Sequence, residues 1–177
     1  NLRGTPVHYR PMSIIDFLPL DDESKAALLV LRKEFGLLPA LRVGIRIRKR
    51  AKKGEPFASL PSAANERECL SRKQIGPAIN LYRELCRENP PERALRITRD
   101  VVIQSTLVFL RRTIGPIRRE KFASMSRKER EGWVQKTGDQ FFNAEMEWKQ
   151  IDGERVEFDV TACHFPGLCR LAGVPEL

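Results

Sequence analysis

The stretch that decides the fold is Glu154-Arg-Val156-Glu-Phe158-Asp-Val160-Thr-Ala-Cys163-His-Phe-Pro166-Gly-Leu168-Cys169-Arg-Leu171-Ala-Gly173-Val-Pro175-Glu-Leu177. Val156, Phe158 and Val160 alternate with Glu157 and Asp159, the period of a half-buried strand. Leu168, Leu171 and Ala172 then recur at helical spacing until Gly173 and Pro175 stop the run. Pro166 has no backbone N–H and fits only in a first helical turn, so the helix begins close to Cys163. A strand therefore hands over to a helix at Cys163.

Upstream, Phe141 to Gln150 reads as a partner strand with Phe142, Ala144, Met146 and Trp148 on one face. Asp152-Gly153 predicts a type I′ turn, and Glu154 to Val160 is the return strand. Everything before this hairpin reads as helix. Ser126 caps a short helix over Met125–Lys136 whose main apolar contact is Trp133. Pro90-Pro91 opens, and Gly115-Pro116 closes, a helix with Ala94, Ile97, Val101, Val102, Leu107, Val108 and Leu110 as core. A further helix covers 65–88, with Leu70, Ile75, Ile79, Tyr82 and Leu85 on its apolar face and a bend at Gly76-Pro77.

Asp21 or Asp22 caps a first helix with Ala27, Leu28, Leu31 and Phe35 as its stripe, ended by Gly36. Leu37 to Ala51 carries both periods: Leu38, Leu41 and Ile45 at helical spacing, Val43, Ile45 and Ile47 in alternation. Its Leu, Lys and Arg content favours helix. Pro6, Pro11 and Pro19 make residues 1–20 an extended arm, in which His8 and Tyr9 are packing or exposed residues. The fold class is thus α+β, a helical N-terminal part packed on a small antiparallel sheet that the Cys163 helix crosses. Residues 1–53 read as an arm and a basic helical appendage, 54–64 (Gly54, Pro56, Pro61) as a linker, and 65–177 as the α+β domain.

Composition narrows function by exclusion. No apolar run approaches the roughly 20 residues that span a bilayer. Four cysteines at unrelated spacings do not form a secreted disulfide framework, which favours a reducing, cytoplasmic setting. The net charge of +9 concentrates in Arg42, Arg46, Arg48, Lys49, Arg50, Lys52 and Lys53, with no acid between them. Aromatic residues for base stacking do not interleave there, so nucleic acid is expected to bind only non-specifically. An amphipathic basic helix over 37–53 also fits a protein partner. Phosphate loops, dinucleotide fingerprints, nucleophile elbows and HExxH motifs are absent.

Cys163 is the residue with chemistry in it, because a helix N-terminus favours the thiolate, the nucleophilic form. The competing reading is a small buried hydrophobe at a strand–helix corner. His164, next in sequence, points about 100° away on a helix and is poorly aimed at the sulfur. Cys163, His164 and Cys169 match no standard zinc spacing, so no metal is expected.

The strand ending in Val160-Thr-Ala-Cys163-His, the short helix, and the exit Leu171-Ala-Gly173-Val-Pro175-Glu-Leu177 resemble the equivalent stretch of the L-2-amino-thiazoline-4-carboxylic acid hydrolase family. The similarity reaches back over the charged helices from about Asn65. The resemblance implies hydrolysis of a C–N bond in a small cyclic amidine-like substrate, without a cofactor. Cys163 would be nucleophile or substrate contact, Thr161 and His164 would line the site, and Arg170 would pair with a substrate carboxylate. Further strands with a second cysteine and an acidic residue are implied beyond the exit, so the domain over 65–177 is expected to be incomplete at its C-terminus. The alternative expectation is a catalytically silent relative that uses its basic N-terminal segment to hold a partner.

Overall fold

A computed structural model describes residue 15, residues 18–116 and residues 118–177. Within them the chain forms α1 (Asp22–Phe35), α2 (Leu37–Lys52), α3 (Glu66–Leu85), α4 (Pro91–Thr113), α5 (Arg119–Ser124) and α6 (Arg127–Gly138). The hairpin of β1 (Ala144–Ile151) and β2 (Val156–Cys163) follows, and α7 (His164–Leu171) closes the order. The fold class is α+β, as the periodicities imply. Apart from Ile15 and the residues from 18 on, the expected N-terminal arm, with His8 and Tyr9, lies outside the described residues.

Helix starts follow local chemistry. Asp21 Oδ1 accepts the Ser24 N–H at 2.7 Å, and Asn65 Oδ1 accepts that of Glu68 at 2.9 Å. Ser126 and Glu129 form a reciprocal capping box, each side chain accepting the other's N–H. Gly36 serves two helices at once: its N–H bonds to Arg32 O, ending α1, and its φ of 84° turns the chain directly into α2. That φ is open to glycine and strained for any side chain with a Cβ.

The first four helices pack in a ring, α1 on α2, α2 on α3, α3 on α4 and α4 back on α1. Leu28 and Leu31, Ala40, Ile79, Tyr82 and Leu85, and Ala94, Ile97 and Val101 meet in one core that also holds Ile15, Cys169, Ala172 and Val174. Residues before Lys53 thus share a core with those after Asn65. The segment between them lies on α3: Asn80 Nδ2 donates to Glu55 O at 2.8 Å, and Pro56 packs on Gly76, where a Cβ would sit 3.4 Å from its Cδ. α1 and α4 run antiparallel, since Glu34 pairs with Arg96 near one end and Glu23 with Arg112 near the other.

α2 is helical, and its burial shows why alternation misleads there. Val43 and Ile47 turn toward the core while Ile45 between them is 56% exposed. On a strand all three would share a face. The α4 core is shorter than expected. Val102 and Leu107 are exposed, as is Ile103, because they lie off the face carrying Val101, Ser105 and Arg112, along which α1 follows α4 to its last turn.

Glu84, on α3 and 3% exposed, fixes α2 on its neighbour. Arg46 donates to it at 2.7 Å, with Arg50 Nε at 3.6 Å and Arg87 at 3.4 Å. Burial pushes this carboxyl up, but the Arg46 hydrogen bond and the Arg87 and Arg46 charges outweigh it and hold it below its ordinary value of 4.5.

The hairpin contains two irregularities. Ala144 faces Cys163 and Glu145 faces Ala162, but Met146 faces Val160, so Thr161 is an extra residue in β2. Trp148 faces Phe158 and Gln150 faces Glu157, so Lys149 is an extra residue in β1. Facing residues share a side of the sheet. One side therefore carries Ala144, Met146, Trp148, Ile151, Val156, Phe158, Val160 and Cys163, and the other Glu145, Glu147, Glu157 and Asp159. Simple alternation would set Cys163 with the acids; the bulge at Thr161 moves it to the apolar side. The turn is not type I′, because Gly153 lacks the positive φ this requires. Asp152 Oδ1 instead accepts the N–H groups of Glu154 and Arg155, both at 2.8 Å, and closes a four-residue loop.

α6 packs on β1 through Gly138, where a Cβ would lie 2.5 Å from Trp148 Cζ2. Gly132, in the same helix, has open space instead. Gly132→Ala is expected to stabilise the protein by about 1 kcal/mol through helix propensity. Gly138→Ala should lower the melting temperature and shift tryptophan emission, because the indole must move; a stabilised Gly138→Ala protein would contradict this contact.

Glu84 gives a second prediction. Its folded pKa is depressed, so its contribution is present above 4.5 and is lost as pH falls through the lower folded value. Glu84→Gln should cost about 1–3 kcal/mol at neutral pH. Urea unfolding of both proteins should find that difference shrinking by pH 3; an undiminished gap would mean shape, not charge, is what α2 reads.

Candidate functional site

β2 delivers Cys163 to the N-cap of α7 with extended backbone, φ −137° and ψ 126°. The thiol is exposed, which removes the reading of Cys163 as a buried corner residue. That description belongs to Cys169, 2% exposed, whose thiol is pushed up by burial first and then by its neighbours Cys163 and Glu176. Cys69 and Cys86, partly buried, are also free thiols.

The first turn of α7 has few free donors. The His164 N–H is given to Asn143 O at 2.9 Å, and Pro166 has none. Among the described residues the Phe165 N–H is left without a partner beside the cap. The Asn143 side chain adds a second donor, its Nδ2 lying 4.0 Å from Cys163 Sγ. Asn143 thus holds the junction twice, by its carbonyl on α7 and its amide at the sulfur. The end of α7 is a Schellman turn, with Gly173 at φ 72° and the Val174 N–H on Cys169 O.

The other expected residues are placed less evenly. Thr161, the bulged residue, directs its hydroxyl to Glu145 O at 3.4 Å. His164 is half-buried and close enough to Glu68 to help hold that carboxyl low, after the Ala64 N–H and Arg72. Arg170 is exposed near the far end of α7, seven residues on from Cys163.

Two residues were missed from sequence. Asn143 becomes visible only once the hairpin register sets Ala144 opposite Cys163. Arg67, at the start of α3, donates to Ala144 O at 3.0 Å and sits 3.8 Å from Glu145, bringing a cation to the strand position facing the thiol. Its distance along the chain leaves no local signal.

α7 packs on α3, and not across the sheet as expected. Arg83 donates to Ala172 O. The Tyr82 hydroxyl is pushed up by burial and by its neighbours Glu176 and Cys86. Among the described residues no three of His, Cys, Asp and Glu gather to hold a metal, and no helix is long and apolar enough to cross a membrane. A shallow depression of about 440 Å³ lies on the hairpin, lined by Lys149, Val156, Glu157, Phe158 and Asp159. No protein-family model, curated protein or solved structure matches this chain.

Proposed function

We propose that this protein is a cysteine-dependent hydrolase resembling the thiazoline-carboxylate hydrolases, acting on a C–N bond of a small cyclic amidine-like molecule. The observation that carries the reading is the exposed Cys163 thiol at a strand–helix junction, with the Asn143 amide beside its sulfur. Sγ adds to the amidine carbon, the ring nitrogen leaves with a proton, and water cleaves the resulting adduct to release the free thiol. Thr161 and His164 flank the thiol, while Arg67 and Arg170 offer guanidinium groups for a substrate carboxylate. Four free thiols support a reducing, cytoplasmic setting.

Iodoacetamide labelling followed by mass spectrometry tests the nucleophile. Cys163 should alkylate faster than the same thiol in denatured protein, and Cys169 far more slowly than either. A Cys163 rate no higher than the denatured control would end the nucleophilic role.

A second reading rests on α2. Leu38, Arg42, Ile45, Lys49 and Lys52 lie at spacings of four and three residues on its outer face, with Leu38 68% exposed. This stripe fits an acidic partner. Arg46 and Arg50 are turned inward to Glu84 and Glu55, so five of the seven clustered cations face solvent. If duplex DNA is offered, the slope of log affinity against log salt should not exceed about 4.5. Fluorescence anisotropy with two unrelated duplexes checks this. A slope near six would mean the inward arginines also reach the phosphates, and a strong preference for one duplex would rule out binding by charge alone.

A further inference from the structure

We propose that the open edge of β2 is a docking site for an extended polypeptide strand in which apolar residues alternate with Lys or Arg. β2 pairs with β1 on one side, and among the described residues its other edge is unpaired over eight residues. A lone two-stranded hairpin is marginal in water, and an unpaired edge is a template for another strand.

The side chains of β2 say what kind of strand fits. The two bulges sort the hairpin into an apolar and an acidic side. On the apolar side α6 packs on β1 at Trp148, and this cover stops short of β2: Phe158 is 46% exposed and Val160 53%. An apolar strip therefore runs from Trp148, across its edge-on contact with Phe158, to the open border. The acidic side carries Glu157 and Asp159 at alternate positions. Across residues 144–163 six carboxylates stand against Lys149 and Arg155, a net of −4 in a chain of net +9. Lys149 pairs with Asp159 and Arg155 with Glu157, but these are exposed ion pairs that an incoming cation can replace. The depression lined by Lys149, Val156, Glu157, Phe158 and Asp159 lies along the same strand.

A second copy of this chain is a poor occupant. Antiparallel self-pairing centred on Phe158 or Asp159 sets carboxylate against carboxylate, and parallel in-register pairing does the same. A strand with apolar residues on one side and cations on the other matches both faces of β2 and supplies the missing backbone hydrogen bonds. Such a strand would also pass beside Cys163 at the end of β2.

Hydrogen-exchange mass spectrometry on the full chain tests this with three capped heptapeptides: Val-Lys-Val-Arg-Val-Lys-Val, its glutamate counterpart, and the basic sequence N-methylated at every residue, which has no backbone donor on either edge. The basic peptide should slow exchange across residues 156–163, and the other two should leave it unchanged. In a Glu157→Lys, Asp159→Lys protein, whose changes are on the surface, the basic peptide should lose about tenfold in affinity and the acidic one should now protect. Three results would each overturn the proposal: no protection by the basic peptide, equal protection by both charges or by the N-methylated peptide, and protection that grows with protein concentration alone, which would make a second copy the occupant.

Discussion

A carboxylate removed from water must be matched by cations, and Glu84 answers this demand by drawing in two arginines from α2 and one from the turn after α3. The consequences spread outward. This pairing sets the rotation of α2 on α3: Arg46 and Arg50 reach Glu84, while Leu38 and Ile45 face out. α3 becomes the element on which the others register. It receives α2 through Glu84, the 54–64 segment through Asn80 and Gly76, α7 through Arg83, and the hairpin through Arg67. Cys163 is positioned by the last two of these, although it lies far along the chain from both.

What was legible in the sequence is what short-range chemistry decides. Asp21 and Ser126 announced helix starts because a cap needs only three or four neighbouring residues. Gly36 and Gly173 announced helix ends because few other residues take their φ. The switch from alternating to helical spacing placed Cys163 at its junction correctly. The misreadings arose where distant packing decides. The apolar pattern of α4 continues through Leu107 and Leu110, yet only the face of Val101, Ser105 and Arg112 lies along α1, and Val102 and Leu107 fall off it. Asp152-Gly153 suits a type I′ turn, but the Asp152 side chain bonded two backbone N–H groups and selected a longer loop.

The candidate site divides along the same line. Cys163 could be singled out because its own neighbours, a strand before and Pro166 after, define its place. Asn143 and Arg67 could not, since each reaches the thiol's surroundings through pairings that no local pattern encodes. The face of the sheet on which Cys163 lies was illegible for a subtler reason: a bulge leaves no mark in an alternating sequence, so strict period-two counting from Val156 assigns the thiol to the wrong side.

That bulge, with its counterpart at Lys149, also gives the hairpin slack. Each strand holds one residue that faces no partner, so shortening the chain by Lys149 or by Thr161 leaves every facing pair intact, Ala144 with Cys163 included. Removing Glu157 or Phe158 instead breaks the pairing between the bulges, where facing order and side of the sheet are tied together. Changes of length are thus absorbed at two positions, and the start of α7 stays in place while they occur.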